Sequence, residues 1–143
     1  MRNSMVARIT AGIALVMAAS AVGASAGAVV RHPHVVVSPS SSLRNGEVVL
    51  VRGAGFVPKD SVFIVECLAT AKGQAQCDTA SVKSVTINAQ GQLPVTKFKV
   101  KVGKIGSGTC GTNVKNLSSC AVSVGNISGK DSASERITFV KPR

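Results

Sequence analysis

From residue 34 to the C-terminus, apolar and polar residues alternate in short runs that are rich in valine and other β-branched side chains. No segment shows the sustained 3.6-residue period of an amphipathic helix, so the pattern predicts β-strands. We predict seven strands, at 34–37, 47–52, 61–67, 82–88, 93–102, 120–124 and 135–140. Turn-forming residues separate them, as at 44–46, 58–60, 88–91 and 125–129. The chain therefore predicts an all-β domain over 34–143, a seven-stranded antiparallel β-sandwich of immunoglobulin-like type.

The N-terminus has a different pattern. An uninterrupted stretch of apolar and small residues over 9–22 follows Arg2 and Arg8, and it ends in a small-residue motif at 23–26. This arrangement is typical of a secretory signal peptide, which we place at 1–26 with cleavage near Ala26. The stretch is shorter than the about 20 residues that span a bilayer, although a retained anchor is the alternative. We expect a secreted protein with a flexible tail at 27–33.

The chain is strongly basic, with 17 lysine and arginine residues against 6 acidic ones. Removal of residues 1–26 leaves fifteen basic and six acidic residues, a formal charge of +9. Such a charge favours anionic partners such as nucleic acid, phosphate-bearing polymers or lipid headgroups. In the predicted strand 93–102, lysines alternate with apolar residues, which places Lys97, Lys99 and Lys101 on one outer face. These lysines form either an anion-binding strip or a solvated face that prevents edge-to-edge aggregation.

Four cysteines in an exported chain predict two disulfides, for which three pairings exist. Nine residues separate Cys67 from Cys77, and nine separate Cys110 from Cys120, which favours two local bridges. Zinc sites usually place paired cysteines two to four residues apart, so the spacing argues against a metal. No Cys-x-x-Cys redox motif is present. We predict that both bridges staple short loops.

The sequence contains no recognisable catalytic constellation. Its two histidines, His32 and His34, lie at the mature N-terminus, so the interior of the domain has no histidine to activate a serine. The six carboxylates form no acid–base pair. Glu66, next to Cys67 on an apolar strand, is a candidate for a ligand pocket, although an exposed strand-end carboxylate is more common. The G-x-G-x-x-G pattern at 106–111 lacks a following helix and predicts a flexible loop.

Several segments together carry a resemblance to a known family. They are VVVSPSSSLRNG at 35–46, the apolar run 48–51, GAGFVP at 53–58, the strand 62–67 with the Cys67–Cys77 spacing, SVT at 84–86, NAQG at 88–91, and LSSCAVSVGN at 117–126. In this combination the chain resembles the neocarzinostatin family, the apoproteins of enediyne chromoprotein antibiotics. The resemblance covers about 105 residues, most of the domain.

The resemblance implies a seven-stranded immunoglobulin-like sandwich with a cleft beside it. Family members bind a small, reactive, largely apolar chromophore without catalysing a reaction, and they shield it until it reaches and cuts DNA. For this chain the resemblance implies that the Cys67–Cys77 disulfide forms part of the cleft floor. It also implies that Phe63, Ala69, Val82 and Ser123 line or border the cleft.

Our leading hypothesis is a secreted, non-enzymatic, monomeric carrier that binds a small apolar ligand non-covalently and needs no metal or other cofactor. Any antibiotic or DNA-directed activity would then come from the ligand. The alternative is an exported envelope or adhesion module whose lysine face contacts an anionic polymer or nucleic acid. Binding of that second kind weakens steeply with salt, whereas binding in an apolar cleft does not. A third hypothesis, a secreted hydrolase, requires activity that survives alanine replacement of His32 and His34.

Overall fold

The computed structural model describes residues 31–143 and confirms the all-β prediction. The signal peptide predicted at 1–26 and the first part of the predicted tail, 27–30, lie outside the described residues. Two 3-10 helices of three residues each, at Gln74–Gln76 and Thr79–Ser81, lie between the third and the fourth strand. The strands are β1 His34–Ser38, β2 Val48–Ala54, β3 Ser61–Leu68, β4 Lys83–Thr86, β5 Leu93–Lys99, β6 Gly103–Ile105, β7 Gly108–Cys110, β8 Cys120–Gly125 and β9 Ser132–Ile137.

Seven strands form two antiparallel sheets, and β6 and β7 form a separate hairpin. One sheet has the order β1-β2-β5 and the other the order β4-β3-β8-β9. Since successive side chains of a strand point to opposite faces, alternate residues of both sheets meet between them and form the core. The fully buried members of this inner layer include Val49, Val51, Val62, Ile64, Val122 and Ile137. The other face of each sheet is left for solvent or for a ligand.

The two edges of the sandwich are tied by hydrogen bonds between the sheets. At one edge, the backbone N–H of Val37 in β1 donates to Glu135 Oε2 in β9 at 2.6 Å. At the other edge, Lys83 Nζ in β4 donates to the Lys97 carbonyl oxygen in β5 at 3.0 Å. Each tie joins a strand of one sheet to a strand of the other, so the polar side chains close the sides of an apolar core.

Two predicted strands differ most from the structure, each with a boundary displaced by three residues. The fifth strand ends at Lys99 rather than at residue 102, and Val100 N–H then bonds to the Glu47 carbonyl oxygen. The last strand is Ser132–Ile137 rather than 135–140, because residues 139 and 140 pair with Leu43 and Leu117 instead. Both changes occur where the chain leaves its sheet to close the end of the core.

The glycine-rich segment predicted as a flexible loop is the hairpin β6–β7. Ile105 and Cys110 are fully buried and hold the hairpin on the core, and Gly106 occupies the first position of its two-residue turn with φ +54. A Cβ at position 106 would lie 2.6 Å from the Ala75 carbonyl oxygen. The glycine thus provides both the backbone conformation and the close contact with the neighbouring loop.

Candidate functional site: a cleft on the four-stranded sheet

The outer face of the four-stranded sheet carries a cleft of about 750 Å³. Its floor follows from the strand register, because residues directly opposite one another share a face. One row across β3, β8 and β9 is Phe63, Gly125 and Ser132, and the next row is Val65, Ser123 and Ser134. The floor is therefore apolar on the β3 side and hydroxyl-bearing on the β9 side.

Gly125 gives the cleft its depth next to the ring of Phe63. A Cβ at position 125 would lie 2.9 Å from the Cβ of Ser132, closer than real side chains approach. Because the glycine has no side chain, the first row of the floor is open between Phe63 and Ser132. A planar apolar group of a ligand would have room at this point.

The loop between Cys67 and Cys77, called the stapled loop below, forms one wall of the cleft. The disulfide joins the end of β3 to the 3-10 helix region, and both cysteines line the cleft together with Ala71, Lys72, Gly73 and Gln74. Lys72 N–H donates to Gln76 Oε1 at 2.8 Å, and Asp78 N–H donates to the Glu66 carbonyl oxygen at 2.8 Å. A bridge closing a loop of this length contributes about 2.5–3 kcal/mol to stability in the chain-entropy model, and in the folded state it holds the two ends of the wall together.

The opposite rim is the turn between β8 and β9. Asn126 organises it, donating from Nδ2 to Asp60 Oδ2 at 2.9 Å and accepting from Ser128 Oγ at 2.9 Å. The turn presents Ile127, which is 78% exposed, and Val82 beside β4 is 43% exposed. Both side chains line the cleft, so large apolar groups stand open to solvent around it. An apolar residue inside a polar turn, as at position 127, is the signal that would have pointed to this rim.

The structure brings together three of the five residues predicted for the cleft. Phe63, Val82 and Ser123 line it, whereas Glu66 and Ala69 do not. Glu66 lies on the opposite face of β3 because it is an odd number of residues from Phe63. Ala69 lies past the end of β3, where its N–H donates to the Ser119 carbonyl oxygen, and it borders a smaller cavity of about 320 Å³.

Glu66 is buried between the sheets, not exposed at a strand end as expected. Only 1% of it is exposed, Oε2 accepts from Lys101 N–H at 2.9 Å, and Oε1 has no hydrogen-bond partner within residues 31–143. Burial raises the pKa of Glu66 to about 7, although the hydrogen bond from Lys101 favours the charged form. Its carboxylate lies near the sulfur atoms of Cys110 and Cys120. Those two sulfurs are joined in a disulfide and are not thiolate ligands.

The predicted lysine row is interrupted. Lys97 and Lys99 are exposed on the outer face of the three-stranded sheet, in register with Leu50 and Val48. Lys101 lies beyond the end of β5, and its Nζ pairs with Asp78 Oδ2 at 2.8 Å. Burial alone would raise the pKa of Asp78, but hydrogen bonds from Lys101 and Ser81 hold it below its usual range. Lys101 thus supports the stapled loop rather than the anion strip.

Both predicted disulfides are present, and the two histidines are exposed near the start of the domain. The two bridges, Cys67–Cys77 and Cys110–Cys120, lie close together where β3 ends and β8 begins. Leu68, the residue after Cys67, pairs directly with Cys120. Within the part of the chain that the structure describes, no helix is long and apolar enough to cross a membrane.

Comparison with known proteins identifies relatives of the whole domain. A sequence model of the neocarzinostatin family matches residues 35–139. Macromomycin from Streptomyces macromomyceticus is 30% identical over 136 residues, which cover 92% of this chain and 88% of that protein. The antitumor antibiotic C-1027 apoprotein and actinoxanthin, both from Streptomyces globisporus, are each 32% identical over 133 residues, with 90% of this chain and 87% of each protein covered.

Solved structures agree with these sequence matches. Macromomycin superposes with a TM-score of 0.60 at 28% identity, covering 76% of this chain and 100% of that one. The solution conformation of apokedarcidin gives a TM-score of 0.52 at 25% identity, covering 74% of this chain and 96% of that one. The similarity in fold therefore extends over nearly the full length of both solved proteins.

Proposed function

The chain belongs to the neocarzinostatin family, and on that premise we propose that it is an exported, non-catalytic carrier that holds a small, largely apolar ligand in the cleft. The observation that carries this proposal is the open apolar lining of the cleft. Phe63, Val65 and the Cys67–Cys77 bridge form its floor and wall, and Val82 and Ile127 stand exposed at its rim. Apolar surface gathered in a concave site is typical of a ligand pocket.

The relatives and the side-chain chemistry agree with a binding role. One relative is named as the apoprotein of an antitumor antibiotic, a protein that lacks its bound component. The floor of the cleft offers serine hydroxyls, but the two histidines lie near the N-terminus, outside the cleft lining. Without a neighbouring base a serine is a weak nucleophile, so the serines of the cleft act as hydrogen-bonding groups. Export through a signal peptide at 1–26 is part of the same proposal.

A cleft-filling substitution tests the carrier proposal. Ser123→Trp places an indole at the centre of the floor, and we expect it to weaken binding of the uncharged fluorophore N-phenylnaphthylamine by about tenfold or more. Fluorescence titration of the purified protein measures the affinity. Leu50→Trp, which adds the same side chain to the outer face of the other sheet, is the control and should bind as the wild type does.

Native mass spectrometry of the protein purified from its own host addresses the natural ligand. A small molecule that is lost on denaturation would support the carrier proposal. Equal probe affinity in wild type and Ser123→Trp would contradict it, because the cleft would then not be the binding site.

A second candidate function rests on the outer face of the three-stranded sheet. We call this the basic face; it comprises Arg52, Lys97 and Lys99 with Val48 and Leu50, which are 49% and 42% exposed. Within residues 31–143 there is one ion pair, Lys101 with Asp78, which leaves fourteen of the fifteen lysine and arginine side chains outside ion pairs. This excess of unpaired cations favours contact with an anionic polymer such as nucleic acid.

A further inference from the structure

The cleft contains one charged side chain among its lining residues, and that side chain is a cation. Lys72 lies in the loop between the two cysteines, exposed at the rim, while the other lining residues are apolar or neutral and polar. Its backbone N–H is used by Gln76, but the one ion pair found in residues 31–143 does not involve its amine. Lys72 therefore brings a positive charge without an ion-pair partner in residues 31–143 to the rim of the cleft.

The acidic residues are all engaged away from the cleft. Three of them accept backbone N–H groups from distant parts of the chain: Glu66 from Lys101, Asp131 from Val57 and Glu135 from Val37. The others hold local structure: Glu47 accepts from Arg44 N–H, Asp60 from Ser61 N–H and Asn126, and Asp78 pairs with Lys101. The chain has six acidic residues, so none remains to line the cleft.

The strand register adds a second cation close to the floor. On the outer face of β9, Ser132, Ser134 and Arg136 follow one another, and Arg136 lies opposite Ala121 in the row that contains Cys67. The guanidinium of Arg136 donates to the Ser118 carbonyl oxygen at 3.0 Å, which holds it at the end of the row. Arg136 borders the smaller cavity, one row beyond the floor residues Ser123 and Ser134, so it adds positive charge at that end of the cleft.

Two hydroxyls in the floor are available to a polar group of a ligand. Ser123 and Ser134 lie directly opposite each other on β8 and β9. Neither side-chain oxygen has a hydrogen bond to another described residue, whereas Ser128 and Ser132 bond within the rim turn. A ligand that accepts hydrogen bonds, as an anionic group does, fits this pair better than one that only donates, because the positive surroundings favour negative charge.

We propose that the cleft selects amphipathic anionic ligands, with an apolar skeleton on Phe63 and Val65 and a carboxylate- or sulfonate-like group paired with Lys72. This inference rests on the proposed carrier function and specifies its ligand class. Lys72 is the specificity-determining residue, since it is the charged group that lines the cleft. Because Lys72 is exposed, its contribution is that of a surface ion pair, about two- to fivefold in affinity.

Two fluorophores that share one skeleton test the inference. Anilinonaphthalene sulfonate carries the anionic group, and N-phenylnaphthylamine is the same skeleton without it. We expect Lys72→Gln to weaken binding of the sulfonate about two- to fivefold and to leave binding of the uncharged probe unchanged. The difference should shrink at 0.5 M salt, where the Debye length falls to about 4 Å. Lys115→Gln, an exposed lysine away from the cleft, controls for the loss of one positive charge.

The possible outcomes separate this inference from the carrier proposal. If both probes bind the wild type and Lys72→Gln weakens neither, or weakens both equally, the charge selection is overturned and the carrier proposal stands. If Lys115→Gln weakens the sulfonate as much as Lys72→Gln does, the effect belongs to the net charge and the role of Lys72 is overturned. If neither probe binds the wild type, the carrier proposal fails and this inference fails with it.

Discussion

At the scale of single residues, the carboxylates of this chain stabilise the fold by accepting hydrogen bonds. Glu66, Asp131 and Glu135 each accept a backbone N–H from a residue at least 35 positions away, and so connect loops and strands that would otherwise separate. Glu66 is the extreme case, since it is buried and its Oε1 has no hydrogen-bond partner among residues 31–143. A carboxylate in that position is costly when charged, which links the stability of the sandwich to pH.

We predict that stability falls as the pH rises from about 4.5 to about 7. The pKa of Glu66 is raised from 4.5 to about 7, so in this interval the folded state holds a proton that the unfolded state has lost. The stabilisation is present below pH 4.5 and is lost as the pH passes 7, about 3 kcal/mol in all. In urea unfolding between pH 4 and pH 8, the free energy of unfolding of Glu66→Gln should rise relative to that of the wild type by a similar amount as the pH increases. Glu47→Gln is the matched control, and parallel pH profiles for wild type and Glu66→Gln would contradict the prediction.

At the scale of elements, the hairpin β6–β7 and the stapled loop support each other. The turn of the hairpin reaches the backbone of Ala75 and Gln76, close enough that position 106 has no room for a Cβ. The loop in turn lines the cleft. The hairpin is therefore the outer support of a wall that contacts the ligand in the proposed function.

Substitution at this contact should loosen the wall. We expect Gly106→Ala to lower the free energy of unfolding by about 1–3 kcal/mol. Alanine would be strained at the positive φ of this position, and its Cβ would clash with the Ala75 carbonyl oxygen. Gly73→Ala, in the same stapled loop, is the control; its φ is −176 and a Cβ there has nothing within 4 Å. Urea denaturation of the three proteins measures the difference. Equal stability of both variants would show that the hairpin does not press on the loop.

The elements that could be predicted are those in which alternation and core packing agree. The seven predicted strands are present, and in β1, β2, β3 and β8 buried valines or isoleucines repeat every second residue. The hairpin was not predicted, because glycines and a lysine surround its two buried residues, Ile105 and Cys110, and no apolar alternation is visible in the sequence. For Glu66, the same alternation with Val62 and Ile64 indicated the core face, and the usual exposure of charged residues argued the opposite. Ile127 marks the rim in the sequence as an apolar residue in a polar turn, but the hydrogen bond from Asn126 to Asp60 that holds this turn is a long-range contact that a local pattern does not reveal.

At the scale of the whole molecule, the cleft and the basic face lie on opposite sides of the sandwich. The cleft is on the outer face of the four-stranded sheet, and Lys97 and Lys99 are on the outer face of the three-stranded sheet. The two proposed functions therefore do not compete for the same surface. A molecule of this design has room for a small ligand on one side while the other side contacts a polyanion.

The second candidate function makes a prediction about salt. If the basic face binds duplex DNA, the double variant Lys97→Gln/Lys99→Gln should lower the slope of log affinity against log salt by about 1.8, that is by two phosphate contacts. Fluorescence anisotropy with a labelled duplex at several salt concentrations gives the slope. Lys115→Gln/Lys130→Gln removes the same charge from exposed loops and should change the slope less. Equal changes in both double variants would show that the net charge, not this face, governs binding.

The Cys67–Cys77 disulfide also determines the outcome of proteolytic cleavage within its loop. Lys72 is the one lysine or arginine between the two cysteines, and it stands exposed, so it offers a trypsin-like protease a cleavage point in the wall of the cleft. A break there leaves two fragments that the disulfide still joins, each held by its own strands in the same pair of sheets. The protein would persist as a nicked, two-chain molecule whose fragments separate only when it is both denatured and reduced.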